Sequence, residues 1–248
     1  MQAVASKSII SDELRSRFNR AKRVLVLTGA GVSAESGVPT FRGAGQTAIS
    51  KSMPIDVISS GAMLERDLPV VWEWFNHRRS VLRTLKPNPA HDTIARWQSN
   101  FEEFTLVTQN VDGLHAAAGS GNVIELHGCV WRARCLTCQA RIDLRESDHE
   151  TGVPSCHECG DPMRPDVVLF GEMLPSGAFE RAALQASSCE LCFVVGTSAV
   201  VYPAASIPEI ARSAGAYVVE VNPEATPLSY LCHEVLTGKA GEILPLIG

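Results

Sequence analysis

The sequence lacks long hydrophobic runs. Its longest apolar stretches, such as residues 192–195 and 217–219, are strand-sized and far shorter than the roughly 20 residues that span a membrane. Residues 1–23 mix charged and apolar side chains and contain no apolar segment typical of a secretory signal. We therefore expect a cytoplasmic protein with no membrane span and no signal peptide.

The chain also lacks an excess of positive charge. Its formal net charge is −5 and its pI is about 5.8, which argues against a protein that binds nucleic acid through phosphate contacts. Hydrophobic residues make up 45% and charged residues 20%, as in globular proteins. A length of 248 residues favours one large domain with insertions.

Short continuous apolar runs predict an α/β fold. They occupy residues 24–27, 104–107, 123–126, 191–195 and 217–221, and helical stretches at 178–188 and 204–215 separate the later ones. Strands buried on both faces have this pattern, which is typical of a doubly wound parallel sheet. Each run ends in small or polar residues, and we expect the five ends to line one ligand crevice.

Two stretches interrupt this alternation and predict a smaller lobe. Residues 44–90 contain no strand-like run but include a helical segment around 67–85, and residues 129–163 are polar and carry four paired cysteines. The expected division is therefore a large lobe (1–43, 91–128 and 164–248), a helical module (44–90) and a zinc module (129–163).

The four cysteines have the spacing of a metal site. Cys135-x-x-Cys138 is followed after 17 residues by Cys156-x-x-Cys159. Two close pairs of thiolates suit one closed, tetrahedral structural zinc ion, and the bound metal would supply folding energy that a short polar segment lacks. Two disulfides or four unrelated thiols are the alternatives.

A glycine-rich loop, Gly29-Ala30-Gly31-Val32-Ser33-Ala34, follows the first predicted strand. Such loops bring the backbone close to a nucleotide pyrophosphate. Residues 36–39 (Ser-Gly-Val-Pro) limit the next helix to about one turn, and no acidic strand end follows about 20 residues later. The loop therefore favours nucleotide binding without the layout of a dehydrogenase; a purely structural turn is the alternative.

His127 closes the apolar run 123–126 at an expected ligand-side strand end. A histidine there can act as a general base near neutral pH, although a lone histidine is more often structural. Asn110 and Asp112 follow another strand of the same crevice, which favours a functional role.

Residues 29–43, 108–115 and 126–128 closely resemble the sirtuin signatures, and the cysteine pairs, Gly196-Thr197-Ser198 and Asn222-Pro223-Glu224 follow in the family's order. The resemblance extends from about residue 24 to 246. It implies a Rossmann-like large lobe and an NAD-dependent protein-lysine deacylase with acyl-lysine protein substrates. Its products would be nicotinamide, O-acyl-ADP-ribose and free lysine, and His127 would be the base on the ribose hydroxyls.

The resemblance also implies roles for individual residues. Phe41 would screen the nicotinamide ribose, Arg42 would meet the phosphates, and Asn110 with Asp112 would orient nicotinamide and its ribose. The other implied NAD contacts are Gly29, Ala30, Gly31, Ser33, Ala34, Glu35, Gln109, Gly196, Thr197, Ser198, Asn222, Pro223, Glu224 and Ala240. The acyl-peptide would insert as an extra strand between Phe170-Gly171-Glu172 and Val200-Val201-Tyr202.

The residues on one face of a predicted helix indicate which acyl group the protein would remove. Val71, Phe75, Arg78 and Leu82 are spaced for one side of a helix, so Arg78 interrupts an apolar stripe, where an anion would compensate its charge. Alternatively, Arg78 extends to solvent or pairs with Glu73. The stretch resembles the branch that removes succinyl, malonyl or glutaryl groups, whose Tyr-x-x-Arg reads Phe75-x-x-Arg78 here. We therefore expect acidic-acyl activity to be weaker than deacetylation. The role of loop 46–50 is open.

Two other functions remain open. A protein ADP-ribosyltransferase would use the same crevice with another nucleophile, and an NAD or ADP-ribose sensor would bind without catalysis. His127 and the paired peptide segments favour deacylation over transfer. The combination of His127, Asn110 and Asp112 counts against a sensor, because binding alone requires no base.

Overall fold

The structure is a computed structural model that describes residues 10–39, 49–50, 53–146 and 152–248. Two residues with predicted roles in NAD binding, Phe41 and Arg42, lie outside these ranges. So do residues 46–48 of the loop whose role the sequence does not predict. The described strands are β1 (Arg23–Thr28), β2 (Ile49–Ser50), β3 (Met53–Pro54), β4 (Glu103–Thr108), β5 (Ile124–Glu125), β6 (Gly128–Cys135), β7 (Arg141–Asp143), β8 (Met163–Val167), β9 (Leu191–Val195), β10 (Tyr217–Asn222) and β11 (Glu234–Thr237). The described α-helices are α1 (Asp12–Arg20), α2 (Gly31–Ala34), α3 (Ile55–Ile58), α4 (Gly61–Arg66), α5 (Leu68–Leu82), α6 (Pro89–Trp97), α7 (Leu114–Ala117), α8 (Ala178–Ser188), α9 (Ile207–Ser213) and α10 (Ala240–Ile243).

A six-stranded parallel sheet in the order β11-β10-β9-β1-β4-β5 forms the centre of the large lobe. The chain starts in the middle at β1, adds β4 and β5 on one side, and then crosses to add β9, β10 and β11 on the other. This order confirms the predicted doubly wound sheet and places a switch point beside β1, where such sheets bind ligands.

Both faces of the sheet are covered, which explains the continuous apolar runs. Val24 and Val26 of β1 face a core shared with α1 and α6, whereas Leu25 and Leu27 face a second core shared with α8 and α9. All four side chains are buried. Successive residues of a strand point to opposite faces, so every position of β1 must be apolar.

The cysteine-rich segment forms its own antiparallel sheet, in the order β7-β6-β8, and packs against α5. Trp72 of α5 is buried among Ala133, Cys135 and Leu144, and its indole Nε1 donates a 2.7 Å hydrogen bond to the Met163 carbonyl. The sequence predicts a short polar segment that lacks folding energy of its own. That expectation was incomplete, because the helical module supplies the largest side chain of the shared core.

Within the described residues, the structure contains no helix that combines the length and the apolar character needed to cross a membrane.

Candidate active site

The carboxyl ends of the central strands meet at one edge of the sheet. Thr28, the last residue of β1, is paired with Thr108 of β4 and with Val195 of β9, and its Oγ1 donates to Thr108 Oγ1 over 2.8 Å. The Leu126 amide donates to the Thr108 carbonyl, and the Gly196 amide to Val221. The strand ends therefore form one contiguous polar edge, as the sequence predicted.

Two glycines allow the loop after β1 to pack against the loop after β9. The Gly31 amide donates to the Gly196 carbonyl over 2.7 Å. A Cβ on Gly31 would lie 2.7 Å from that oxygen, and one on Gly29 would lie 2.7 Å from Thr197 Cβ. The sequence predicts that these glycines allow the backbone to approach a pyrophosphate. In the structure they allow the loop after β1 to pack closely against the loop after β9. The following helix, α2, has only four residues, as expected from Ser36-Gly37-Val38-Pro39.

His127 lies two residues after the end of β5, and its side chain is half-buried. Its Nδ1 is 2.8 Å from the Gln109 carbonyl oxygen. A carbonyl only accepts, so in the neutral ring Nδ1 carries the hydrogen and Nε2 carries the lone pair. Burial lowers the pKa of His127, and the hydrogen bond to Gln109 opposes this shift. The ring is therefore neutral at pH 7 and suited to accept a proton at Nε2.

Asn110 and Asp112 lie on the segment that follows β4. The Asn110 side-chain amide donates to the Gly29 carbonyl (3.1 Å) and to Ser33 Oγ (3.2 Å). Asp112 is buried and accepts the Leu114 amide over 2.8 Å. Burial raises the pKa of its carboxyl, whereas hydrogen bonds from Leu114 and Ser33 and the charge of Arg78 oppose the rise.

Sequence reasoning missed His91, at the start of α6. The Asn88 amide donates to His91 Nδ1 (3.3 Å), so Nε2 carries the hydrogen and donates to Ser33 Oγ at 3.2 Å. Asn110 also donates to this oxygen, which leaves the Ser33 hydroxyl hydrogen for Asp112. The available signal was the sequence Asn88-Pro89-Ala90-His91, an N-cap with a reciprocal partner three residues later.

A second buried histidine, His115, lies beside His91. Their ring centroids are 4.8 Å apart, and His115 Nε2 is 3.0 Å from Thr28 Oγ1. Because Thr28 donates its hydrogen to Thr108, it accepts from His115 Nε2. Burial lowers the pKa of His91 to about 4; burial and the neighbouring His91 lower that of His115 to about 3. Both rings are therefore neutral supports beneath the site.

The other predicted NAD positions lie on adjacent strand ends. Gln109 Nε2 donates to Thr197 Oγ1 (3.0 Å), and Asn222 Nδ2 donates to the Glu224 carbonyl (2.7 Å). The Glu35 carboxylate accepts the amide of Gly241, in α10. Gly196, Thr197 and Ala240 are buried, Ala30 and Asn222 are half-buried, and Ala34, Glu35, Ser198, Pro223 and Glu224 are exposed. This polar, partly open edge fits the ribose hydroxyls and phosphates of a dinucleotide.

Two adjacent arginines of α5 differ in their surroundings. Arg79 is buried, donates to the Val130 carbonyl and to Asn76, and lies over the Trp72 ring. Arg78 is half-buried, with its Cζ 5.7 Å from the Trp74 ring centroid. Burial lowers the pKa of Arg78 and the charge of Asp112 raises it, so Arg78 is within electrostatic reach of the crevice. Phe75 is buried.

One predicted peptide-binding segment is anchored to the helical module. The Phe170 amide donates to the Ser59 carbonyl, and the Gly61 amide donates back to the Phe170 carbonyl. The Phe170 side chain is 50% exposed, and Gly171 has a positive φ of 86°. In the other segment, Val201 is half-buried and its neighbours Val200 and Tyr202 are exposed. These segments expose apolar side chains that a bound peptide could cover.

The four predicted metal ligands converge at the tip of the zinc module. The Sγ atoms of Cys135, Cys138, Cys156 and Cys159 all lie within 4.8 Å of one another. The shortest separations are 3.5 Å, far longer than a disulfide bond of about 2.05 Å. Tetrahedral coordination with Zn–S bonds of about 2.3 Å requires S–S separations of about 3.8 Å. The cluster fits one structural zinc ion.

Comparisons with known proteins agree with this geometry. The model of the Sir2 family matches residues 29–203. An NAD-dependent protein deacylase of Thermus thermophilus is 48% identical over 240 residues, covering 95% of this chain and 93% of the relative. One of Methylococcus capsulatus is 41% identical over 244 residues, covering 96% and 95%.

Solved structures of homologues show the same fold. A Sir2 homologue–NAD complex superposes with a TM-score of 0.89 at 38% identity, covering 96% of this chain and 93% of that one. A Sir2–p53 peptide–NAD+ complex gives a TM-score of 0.81 at 30% identity, covering 94% and 95%. On the extent of these matches, the chain belongs to the Sir2 family.

Proposed function

We infer that this protein is an NAD-dependent protein deacylase that acts on acyl-lysine side chains. Its products are nicotinamide, O-acyl-ADP-ribose and free lysine. The observation that carries this conclusion is the position of His127, a neutral imidazole at the sheet edge with Nδ1 bound to the Gln109 carbonyl and Nε2 left as an acceptor. Relatives named as NAD-dependent protein deacylases, 41–48% identical over most of the chain, support the same reaction.

Bound NAD supplies the nicotinamide leaving group and the ribose that receives the acyl group. Asn110 and Asp112 orient the nicotinamide end, and Ser33 holds Asp112 through its hydroxyl hydrogen. His127 accepts a proton at Nε2 from a ribose hydroxyl, which makes that oxygen a better nucleophile. The buried rings of His91 and His115 keep this support rigid and dry.

The other ligands follow from the same assignment. The adenosine and phosphate portions of NAD bind to the loops after β1, β9 and β10 and to Ala240. The four cysteines hold one zinc ion. This ion has no catalytic role, since four sulfur ligands leave no open position. A peptide strand enters beside Phe170 and Val201. The division into a large lobe, a helical module (44–90) and a zinc module (129–163) is part of this proposal.

The test is product analysis by mass spectrometry after incubation of the protein with NAD and an acetyl-lysine peptide, alongside a His127→Ala variant. We expect equal amounts of nicotinamide, deacetylated peptide and O-acetyl-ADP-ribose from the wild type. ADP-ribose attached to protein would instead indicate a transferase. Binding of NAD with no nicotinamide release would indicate a sensor. Either result would refute the deacylase assignment.

The acyl preference is a finer proposal that rests on Arg78. Its guanidinium, within electrostatic reach of Asp112, provides a positive charge that can bind the terminal carboxylate of a succinyl or malonyl group. Phe75 lacks the phenol hydroxyl of the related enzymes, and the missing hydrogen bond is worth about 0.5–3 kcal/mol. Acetyl is therefore the better substrate, and succinyl and malonyl are removed more slowly.

This preference is measured as the ratio of kcat/KM on succinyl- and acetyl-lysine peptides. Arg78→Met should lower the succinyl-to-acetyl ratio, and Phe75→Tyr should raise it. Arg66→Met, an exposed arginine of α4, is the matched control and should leave the ratio unchanged. An unchanged ratio in Arg78→Met would show that another residue reads the acyl group.

A further inference from the structure

Glu220, in β10, is a buried carboxylate with 1% of its surface exposed. Val219 and Val221 on either side of it face the core shared with α1 and α6, whereas Val218 faces the core shared with α8 and α9. By strand alternation, Glu220 points to the same side as Val218. A buried carboxylate on an apolar face is costly unless hydrogen-bond donors compensate it.

Two hydroxyl groups from the following loop supply those donors. Thr226 Oγ1 donates to one carboxylate oxygen of Glu220, and Ser229 Oγ donates to the other. Each hydroxyl oxygen also accepts a backbone amide, from Leu228 to Thr226 (3.1 Å) and from Thr226 to Ser229 (2.8 Å). The direction of every hydrogen bond is thereby fixed, and both carboxylate oxygens are satisfied.

The segment held in this way carries proposed NAD contacts. It begins at Asn222, whose side chain donates to the Glu224 carbonyl and whose own carbonyl accepts the Gly238 amide at 3.1 Å. Its other end is fixed by Glu220 through Thr226 and Ser229, and Leu228 packs in the core beneath it. Glu220 does not line the sheet edge itself, so it acts on a ligand through the loop.

We propose that Glu220 is a positioning residue for NAD: it pre-organises residues 222–229 to receive the adenosine half of the dinucleotide. The inference rests on the proposed function. The adenosine half makes and breaks no bonds during deacylation, so contacts to it contribute equally in the ground and transition states. Loss of the Glu220 network therefore changes the affinity for NAD and leaves the chemical step unchanged.

The experiment compares Glu220→Gln, Thr226→Val/Ser229→Ala and Thr226→Ser with the wild type. Glutamine keeps the volume but replaces one acceptor oxygen by a donor. The double variant removes both donors from the loop and keeps Glu220. We expect KM for NAD to rise about 5- to 20-fold in the first two variants, the size expected for one or two lost hydrogen bonds. The kcat and the KM for acyl-peptide should stay within about twofold of wild type, because contacts to the adenosine half contribute equally in the ground state and the transition state.

Direct binding provides a second measurement. The Kd for ADP-ribose, determined by titration calorimetry, should rise by the same factor as KM for NAD. Thr226→Ser keeps the hydroxyl and should retain wild-type values, and Glu180→Gln, an exposed carboxylate of α8, is the matched control.

Two outcomes would overturn the proposal. One is an unchanged Kd for ADP-ribose in folded Glu220→Gln and Thr226→Val/Ser229→Ala. The other is a parallel rise of KM for NAD and for peptide with a lower Tm, which would assign Glu220 a purely structural role. Failure of the proposed function is distinct, because wild-type protein would then release no nicotinamide with acyl-peptide.

Discussion

His127 is the residue on which turnover is expected to depend most strongly. His127→Ala should lower kcat/KM about 10²- to 10⁴-fold, the range for loss of a general base. For the wild type, burial lowers the pKa of His127. The midpoint of the acid limb of the pH–rate profile should therefore lie below the ordinary histidine pKa of about 6.5. Activity is retained above this limb, where the ring is neutral, and lost as the pH falls through it.

The measurement is kcat/KM against pH, with folding of the variant checked by circular dichroism. Undiminished turnover in His127→Ala would show that His127 is not the general base. An acid limb above 6.5 would mean that the charged ring is favoured in the free enzyme, contrary to its burial.

The buried histidines His91 and His115 should make the fold sensitive to mild acid. Their folded pKa values are lowered to about 4 and about 3, below the unfolded value of about 6.5. Between pH 6.5 and about 4 the unfolded chain binds more protons, so stability falls as the pH falls. Each histidine contributes a loss of about 2 kcal/mol at pH 5, from 1.36 kcal/mol per unit.

Urea unfolding at pH 7, 6 and 5 measures this loss. His115→Gln should unfold with a weaker pH dependence than wild type, whatever its stability at pH 7. His77→Gln, an exposed position on α5, should keep the wild-type dependence. Identical pH dependence in His115→Gln and wild type would mean that the pKa of His115 in the folded protein is close to its unfolded value, contrary to its burial.

Strand ends made some candidate site residues predictable from the sequence, whereas others are brought to the site only by tertiary contacts. Asn110, Asp112 and His127 follow apolar runs, so their place at the sheet edge follows from the direction of a parallel strand. His91 follows no strand, and its contacts with Ser33, 58 residues away, and with His115 connect it to the candidate site. The helical pattern placed Arg78, not Arg79, on the apolar face of α5, yet Arg79 is the more buried of the two, because it packs against Val130 of the zinc module.

At the scale of elements, Arg164 in β8 connects the zinc module to the predicted peptide-binding segment. Its buried guanidinium forms a bidentate ion pair with Glu172 and also donates to the Val167 carbonyl. Burial raises the pKa of Glu172, but hydrogen bonds from Arg164 and the Leu169 amide outweigh this and lower it. The pair thus fixes the segment that follows Phe170.

Arg164→Met should lower the free energy of unfolding by about 3 kcal/mol, because it leaves the Glu172 charge without its buried partner. Arg141→Met is the control: Arg141 pairs with Asp166 but is 57% exposed, and its loss should cost less than about 1 kcal/mol. Denaturant unfolding compares the two. Equal losses would contradict the assignment of Arg164 as the buried anchor.

Strands that are buried on both faces were predicted correctly from the sequence. The prediction failed where the length or existence of a strand depends on its pairing with a neighbouring strand. Residues 104–107, 191–195 and 217–221 were predicted as strands and lie in β4, β9 and β10. The run 123–126 contributes only the two residues of β5, because the chain turns away at His127. β11 was missed, since half-buried and exposed residues alternate along most of this edge strand and no continuous apolar run marks it.

For the whole molecule, zinc removal tests whether the four cysteines stabilise the fold. Metal analysis should find one zinc ion per chain, and chelation should lower Tm, because metal binding contributes folding free energy to a small polar module. Cys135→Ser should bind less zinc and show the same loss, whereas Cys189→Ser, away from the cluster, should keep the metal. Full stability after complete zinc loss would contradict a structural role.

The strand order has a consequence for biosynthesis. β1 lies at the centre of the sheet between β4 and β9, so one neighbour is about 80 residues downstream and the other nearly 170. On the ribosome, which adds residues from the amino terminus onward, β1 emerges long before β9 can cover its open edge. That edge remains available to chaperones or to wrong partners for most of translation, and the interval ends only when residue 195 has left the exit tunnel.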